Sequence, residues 1–450
     1  MEKFDVLFIG SGQAAWNAAL PLAMQGKKVG IIEEGTVAGV CTNFGCDAKG
    51  LLDGPVKLLA EIEQFDEIGL ETTDARINWE HLMAHKHAVI DPLSGQMQAM
   101  LEHSGIKFIF GHGEFRDSKT IVVEKKEYTA TKIVIASGQR PARLNVPGKE
   151  LMHDSTDFLD LPQMPESIAF IGAGYVSMEL ASIANAAGAD VSIIEFAPRA
   201  LNGFDAEYAN KLVEKMQSSG VTFYFGEGLS KVEKTGTQYT VTTNKGTEFT
   251  TNYVLDATGR IPNVENLGLD KAGIDYDRGG ISVNDHLQTS VENIYASGDI
   301  ISKKQPKLTP VAAFEARYLT QLFLGVTDEA INYPVVATAA FTLPRIAQVG
   351  VTTDYAMEHP AEYQIKTIDL ANSWDYKAMN EKDASMKLIF DKAGKLAGAV
   401  NYSNEAPEVI NGLTTIIEQG LTIQELQRTL FAFPTLDYNL SFYLAQGLRS

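Results

Sequence analysis

The sequence predicts an α/β protein of two tandem strand–helix–strand units followed by an α+β domain, and three observations carry that expectation. Residues 4–33, "FDVLFIGSGQAAWNAALPLAMQGKKVGIIE", read as an apolar strand, a glycine-rich turn, a helix-compatible run and a second strand ending in Glu33. Residues 167–195, "SIAFIGAGYVSMELASIANAAGADVSIIE", repeat that plan, and Gly172 precedes Glu195 by as many residues as Gly10 precedes Glu33. After each unit comes a strand closed by a small-residue turn, "KIVIASGQRP" and then "YVLDATGRIP". From about Asn332 the pattern changes to a hairpin, "MKLIFDKAGKLAGAVNYS" with Gly394 near its turn, and the amphipathic run "APEVINGLTTIIEQGL".

Each unit is Rossmann-like. In "GSGQAA" Gly10 permits the tight turn, Gly12 lets the backbone approach a pyrophosphate, and Ala15 allows close packing of helix on strand. Phosphates then lie on the helix N-terminus, and Glu33 accepts hydrogen bonds from ribose hydroxyls. In "GAGYVS" the third position is Ser177, still small, and Glu195 suits a free 2'-hydroxyl, so NADH is expected over NADPH. Arg199 is the one opposing feature, and a solvated surface role is expected for it. "YASGDI" ends a strand at Gly298 and Asp299, a pair that alone reads as a turn.

Composition bounds the rest. A 450-residue chain with 45% hydrophobic and 21% charged residues is an ordinary globular one of several domains, without an apolar run long enough to span a membrane. Its N-terminus lacks the pattern of a secretory signal, so a cytoplasmic location is expected. A net charge of -19 repels a phosphate backbone, and nucleic-acid binding is not expected. Turn-rich links fall near Pro147-Gly148 and at Pro162 to Pro165.

Both cysteines lie in "GVCTNFGCDAKGLL". A disulfide closing so short a loop restrains little chain entropy, which argues against a structural staple. In a regular helix residues i and i+5 lie about 8 to 9 Å apart, beyond bonding reach, so pairing Cys41 with Cys46 requires an irregular turn that Gly45 can supply. A thiolate at the start of the following helix is stabilised there, and the pair reads as redox-active. His81, His85 and His87 in "HLMAHKH" have neighbouring acid only at Glu80, so no metal is expected.

Taken in order, "GSGQAA", "CTNFGC", "IVIASG", "GAGYVS", "VLDATGRIPN", "YASGDI" and "LTPVAAFEA" resemble the flavin-dependent pyridine nucleotide-disulfide oxidoreductases over nearly the whole chain. The resemblance implies FAD in the first unit, NAD in the second and a C-terminal dimerisation domain that makes a homodimer. The implied boundaries are 1–148 for the first part of the FAD domain, 149–270 for the NAD domain, 271–333 for the return to the FAD domain and 334–450 for dimerisation. By the same resemblance Cys46 faces the flavin, Cys41 is the interchange thiol, Lys49 and Glu179 pair beside the flavin ring, Tyr175 gates the nicotinamide pocket and Asp299 holds the ribityl chain. The implied cofactor contacts also include Ser11, Ala14, Gly39, Val40, Ala136, Ser137, Gly138, Gly174, Val176 and Gly259.

Three departures stand out. Cys46 is followed by Asp47-Ala48 where the family has x-Pro, and Asp47 opposes a neighbouring thiolate by like charge. Val40 replaces a Thr before the first cysteine. At the C-terminus the family's His-Pro-Thr-x-x-Glu becomes "FPTLDY", with Phe433 and Tyr438 in place of the proton-carrying pair and no histidine after His359. In its Phe, this resembles the 2-ketopropyl coenzyme M oxidoreductase/carboxylase branch. The expected activity is therefore hydride transfer from NADH through FAD to the Cys41-Cys46 disulfide and on to a small-molecule electron acceptor. The rivals are direct transfer from flavin to a quinone, oxygen or a metal ion, and a redox sensor of low turnover.

Overall fold

The run Val6–Ile9 is buried at every position, as a parallel strand covered on both faces requires. It belongs to strand Glu2–Ile9, which pairs in parallel with Val29–Glu33 on one side and Lys126–Ile135 on the other. The computed structural model describes residues 2–66, 68–71 and 75–449. Its chain divides into two units, one of residues 1–51, 83–142 and 259–333, the other of residues 52–82, 143–258 and 334–450.

In the first unit the sheet runs, edge to edge, Lys107–Phe110, Val29–Glu33, Glu2–Ile9, Lys126–Ile135, Thr120–Val123 and Glu114–Asp117, and Ile294–Ala296 adds in parallel to Lys126–Ile135. Helices Gln13–Met24 and Thr309–Phe323 contribute Ala15, Ala18, Ala19, Leu22, Ala316 and Leu319 to its core. The small residues of the first helix let it lie close to the sheet, so its N-terminus is held at the carboxyl ends of the strands.

The second unit repeats the parallel plan with Thr222–Phe225, Asp190–Glu195, Ser167–Ile171 and Tyr253–Asp256 in that order, beside a three-stranded antiparallel sheet over residues 229–251. It also contains a five-stranded antiparallel sheet: Thr338–Ala340, Arg345–Gly350, Leu396–Ser403, Ser385–Asp391 and Tyr363–Asp369. The expected hairpin joins two of these strands, turning at Gly394 with φ +75°. The expected amphipathic helix is Ala406–Gln419, which buries Val409, Ile410, Leu413 and Ile416 against that sheet and stops at Gly420. No helix among the described residues is long and apolar enough to cross a membrane.

Candidate active site

The two glycine turns are built alike. Gly10 has φ +100°, and a Cβ on it would stand 2.5 Å from the carbonyl oxygen of Ala136. Gly172 has φ +93°, and its Cβ would meet the carbonyl oxygen of Ala257 at 2.9 Å. Each first glycine is thus required twice, by backbone conformation and by the strand ending beside it. Helices Gln13–Met24 and Tyr175–Ala186 follow Gly12 and Gly174 without a side-chain cap, which leaves N–H groups at both N-termini open to an anion.

Both acids brace their turns. Glu33 accepts from Ser11 N at 2.9 Å, Ser11 Oγ at 2.6 Å and Gly35 N at 2.7 Å, and Glu195 accepts from Ala173 N at 2.6 Å and Ala197 N at 2.7 Å. Arg199, expected to be solvated, instead donates to the carbonyls of Ala200, Leu201, Phe204 and Asn202. Carbonyl oxygens of its own loop therefore occupy the guanidinium.

Around the first turn the structure gathers several expected cofactor residues. A Cβ on Gly39 would lie 2.8 Å from Gly12 Cα, and one on Gly298 would lie 2.7 Å from Ala14 Cβ. Val40 follows Gly39, and Asp299 follows Gly298 in a single turn of 3-10 helix. Ser137 and Gly138 are fixed through Asn263, which donates Nδ2 to Ser137 O at 2.7 Å and its backbone N to Gly138 O at 3.0 Å, while Gly259 O accepts from Ala142 N. Ser297 Oγ is buried without a hydrogen-bond partner beside Gly298. A cradle of glycine and alanine, an open helix N-terminus and an orphaned hydroxyl fit the pyrophosphate and ribityl parts of FAD.

The cysteine segment takes the irregular form that pairing requires. Cys41 lies in helix Gly39–Phe44, Gly45 breaks the chain at φ -149°, ψ -115°, and Cys46 is the first residue of helix Cys46–Gln64. A Cβ on Gly45 would approach Cys41 Cα at 3.4 Å and Val40 O at 3.1 Å. The hydrogen bond from Cys41 is the main cause that brings the Cys46 thiol down to about 6, against its burial, with help from Thr309 and the Lys49 charge and opposition from Asp47. Cys41 is pushed up, first by that same hydrogen bond and then by burial. These influences favour a thiolate on Cys46 over one on Cys41.

Sequence reasoning did not assign Thr309, the first residue of the helix that opens the quoted "LTPVAAFEA". Its hydroxyl donates to Cys41 Sγ at 3.1 Å and stands 3.6 Å from Cys46 Sγ. Glu315 was missed as well. Wholly buried on the same helix, it accepts from Gly298 N at 2.6 Å, Lys303 Nζ at 2.6 Å and Tyr333 OH at 2.8 Å. Lys307 Nζ donates to Asp299 O at 2.8 Å. These groups fix the turn that presents Asp299.

Lys49 is half-buried one helical turn beyond Cys46 in the first unit. In the second, Glu179 is buried and accepts from Phe341 N at 2.8 Å, Tyr175 opens its helix with its ring exposed and Val176 is half-buried behind it. Phe433 and Tyr438 meet edge to face at 4.8 Å, Trp374 lies 5.7 Å from Phe433, and the three are 65%, 47% and 50% exposed. His81 and His85 are exposed and His87 is half-buried on helix Trp79–His103, where His87 meets Asp91. Among the described residues no cluster of three metal-binding side chains occurs.

Comparison with known proteins agrees with this arrangement. Residues 4–316 match the model of the pyridine nucleotide-disulphide oxidoreductase family, and residues 336–441 match that family's dimerisation domain. The chain is 31% identical to a mercuric reductase of Lysinibacillus sphaericus, over 100% of this chain and 82% of the relative. It is 30% identical both to a glutathione reductase of Nostoc sp. (96% of this chain, 97% of the relative) and to a dihydrolipoyl dehydrogenase of Bacillus subtilis (96% and 94%). The fold is also that of the HOCl-induced flavoprotein disulfide reductase RclA from Escherichia coli, with a TM-score of 0.88 at 24% identity over 98% of this chain and 99% of that one. With both domain models matched and 30% identity held along full-length relatives, the chain belongs to the flavin-dependent pyridine nucleotide-disulphide oxidoreductases.

Proposed function

We propose that this oxidoreductase draws an electron pair from NADH, stores it in the Cys41-Cys46 dithiol and delivers it to a small-molecule acceptor without a histidine–glutamate proton relay. The observation that carries this is the cysteine geometry: two thiols on either side of the Gly45 break, both within reach of the one Thr309 hydroxyl, at 3.1 Å from Cys41 Sγ and 3.6 Å from Cys46 Sγ. Gly10, Gly12, Ala14, Gly39, Ala136 and Asp299 would hold FAD, which when bound accepts the hydride of NADH and passes on an electron pair. Glu195 would take the ribose hydroxyls of NADH, and NADPH is disfavoured because its 2'-phosphate meets a carboxylate while Arg199 is engaged by backbone carbonyls.

Toward a disulfide acceptor, Cys41 gives up its thiol proton as its sulfur attacks one acceptor sulfur, and the other acceptor sulfur leaves and takes that proton, giving a mixed disulfide. Cys46 then attacks Cys41, the second acceptor sulfur leaves, and the Cys41-Cys46 bond closes. Two electrons have moved, and of the two protons that the departing thiolates need, one is the Cys41 proton, which has to be carried across, and the other has to come from outside the pair, since Cys46 starts as the thiolate. Phe433 has no proton to give, and a phenol such as Tyr438 ordinarily titrates near 10, so this delivery is slow here. That favours an acceptor whose leaving group needs little protonation, and it is also the observation that supports a second reading, direct reduction of a quinone, oxygen or a metal ion from flavin. The dimerisation domain supports a homodimer, and a chain with one redox pair and no other cysteine suits the cytoplasm.

Turnover of NADH with disulfide, quinone and metal-ion acceptors, compared between wild type and Cys41→Ser, tests the reading. Loss of turnover in the variant supports the dithiol route, retention supports direct transfer from flavin, and absence of turnover with every acceptor supports a sensor.

A further inference from the structure

His112 stands between two hydrogen-bond acceptors. Its Nδ1 lies 2.7 Å from Glu34 Oε2 and its Nε2 lies 2.9 Å from the carbonyl oxygen of Asn266. A carboxylate and a carbonyl can only accept, and a neutral imidazole has one N–H, so the arrangement is satisfied only by the doubly protonated ring. In the neutral ring one nitrogen lone pair would face an oxygen at hydrogen-bonding distance.

The position of this clasp gives it meaning. Glu34 follows Glu33, whose carboxylate braces the first glycine turn through Ser11 and also takes Gly35 N. The loop carrying His112 leaves the sheet beside the same acid, with Gly111 N donating to Glu33 O at 2.9 Å, and Gly113 packs against Ile32. On its other side Asn266 belongs to the stretch 259–333 of the same unit, which carries Asp299, and Phe115 N donates to Leu267 O at 2.8 Å. One protonated side chain thus ties Glu34, the neighbour of the acid expected at the adenosine end of a dinucleotide, to the stretch that carries the residue expected at its ribityl end.

We propose that His112 is a positioning residue for FAD, a proton-dependent clasp that holds the nucleotide site closed when the imidazole is charged and loosens it when the ring is neutral. This rests on the reading that the first unit holds FAD. The charged groups facing His112 are Glu34, from the loop after strand Val29–Glu33, and Glu114, from strand Glu114–Asp117, itself paired with Lys271 of helix Leu269–Ala272. The Asn266 carbonyl is the largest favourable influence on the charged ring and Glu34 the next, so its titration is raised from the ordinary histidine value. Retention of FAD is then complete in acid and is lost as pH rises through that raised value.

The test is the rate of FAD release from the holoprotein, followed by flavin fluorescence on dilution, from about pH 6 to about pH 9. Wild type should release FAD a few-fold faster at the alkaline end, the effect of one charge-assisted hydrogen bond in a solvent-screened pair. His112→Asn should release at a rate that no longer varies with pH in this window. Glu34→Gln places an amide N–H opposite Nδ1, so a neutral ring satisfies both neighbours, and this surface substitution should keep release slow at every pH. A pH-independent rate in wild type, or an unchanged pH dependence in either variant, overturns the clasp while leaving FAD binding by the first unit intact. A protein that cannot be loaded with FAD at all overturns that reading and the clasp together.

Discussion

The Thr309 hydroxyl donates to Cys41 Sγ at 3.1 Å, from the first turn of a helix that is 268 residues away in sequence. It also stands 3.6 Å from Cys46 Sγ, and its contact favours the Cys46 thiolate. Thr309→Val keeps the shape of the side chain and removes the donor. The Cys46 thiol, now near 6, should move up by about one unit or less, since the hydroxyl's nearer bond goes to Cys41 and its 3.6 Å contact with Cys46 is the weaker of the two. The pH dependence of iodoacetamide labelling of the reduced protein measures this shift.

Glu195 is expected to set coenzyme choice. Wild type should prefer NADH over NADPH by on the order of tenfold or more in kcat/KM. Glu195→Gln removes the negative charge but keeps an acceptor for Ala173 N or Ala197 N, so the preference should shrink chiefly through better use of NADPH. Steady-state kinetics with both coenzymes decide it, and equal specificity constants in wild type contradict the assignment.

Much of this site was legible in the sequence because its chemistry is local. A glycine turn, the helix behind it and an acid closing the next strand are one continuous stretch, and a turn that excludes a Cβ at Gly10 or Gly172 admits few residues. The break at Gly45 was legible for the same reason. Thr309, Lys303 and Glu315 were not, because they act on Cys41 and Gly298 through packing of a distant helix. Nor was the engagement of Arg199, since nothing in "EFAPRALNGF" shows that its loop curls back to offer four carbonyls to one guanidinium.

Glu381 gives a prediction about stability. Burial in the second unit is the main cause that raises its carboxyl to about 7, aided by Glu405 and Glu61 and opposed by Asn404 N and Lys57. The folded value lies above the ordinary 4.5, so the folded state holds the proton more tightly. The contribution is therefore full below about pH 4.5 and is lost as pH rises through about 7, amounting to ~3 kcal/mol at most. Glu381→Gln stays neutral and still accepts from Asn404 N. It should match wild type near pH 5 and exceed it by about 1 to 2 kcal/mol near pH 8, as read from denaturant unfolding.

Phe433 and Tyr438 form an exposed edge-to-face pair at the positions where the sequence resemblance implies a proton-carrying histidine and glutamate. Installing Phe433→His with Tyr438→Glu should raise reduction of glutathione disulfide or lipoamide by about a hundredfold or more, the ordinary contribution of a placed acid-base group. Flavin reduction by NADH should not change. Efficient turnover of these disulfides by wild type would show that another group supplies the protons.

The dithiol route is tested most directly by counting thiols. Air-oxidised holoprotein, denatured and alkylated, should show neither Cys41 nor Cys46 modified, and its mass should fit one intramolecular disulfide. The same protein reduced anaerobically with NADH before alkylation should show both cysteines modified. If the two are alkylated to the same extent with and without NADH, the pair does not carry the electrons and the account is wrong.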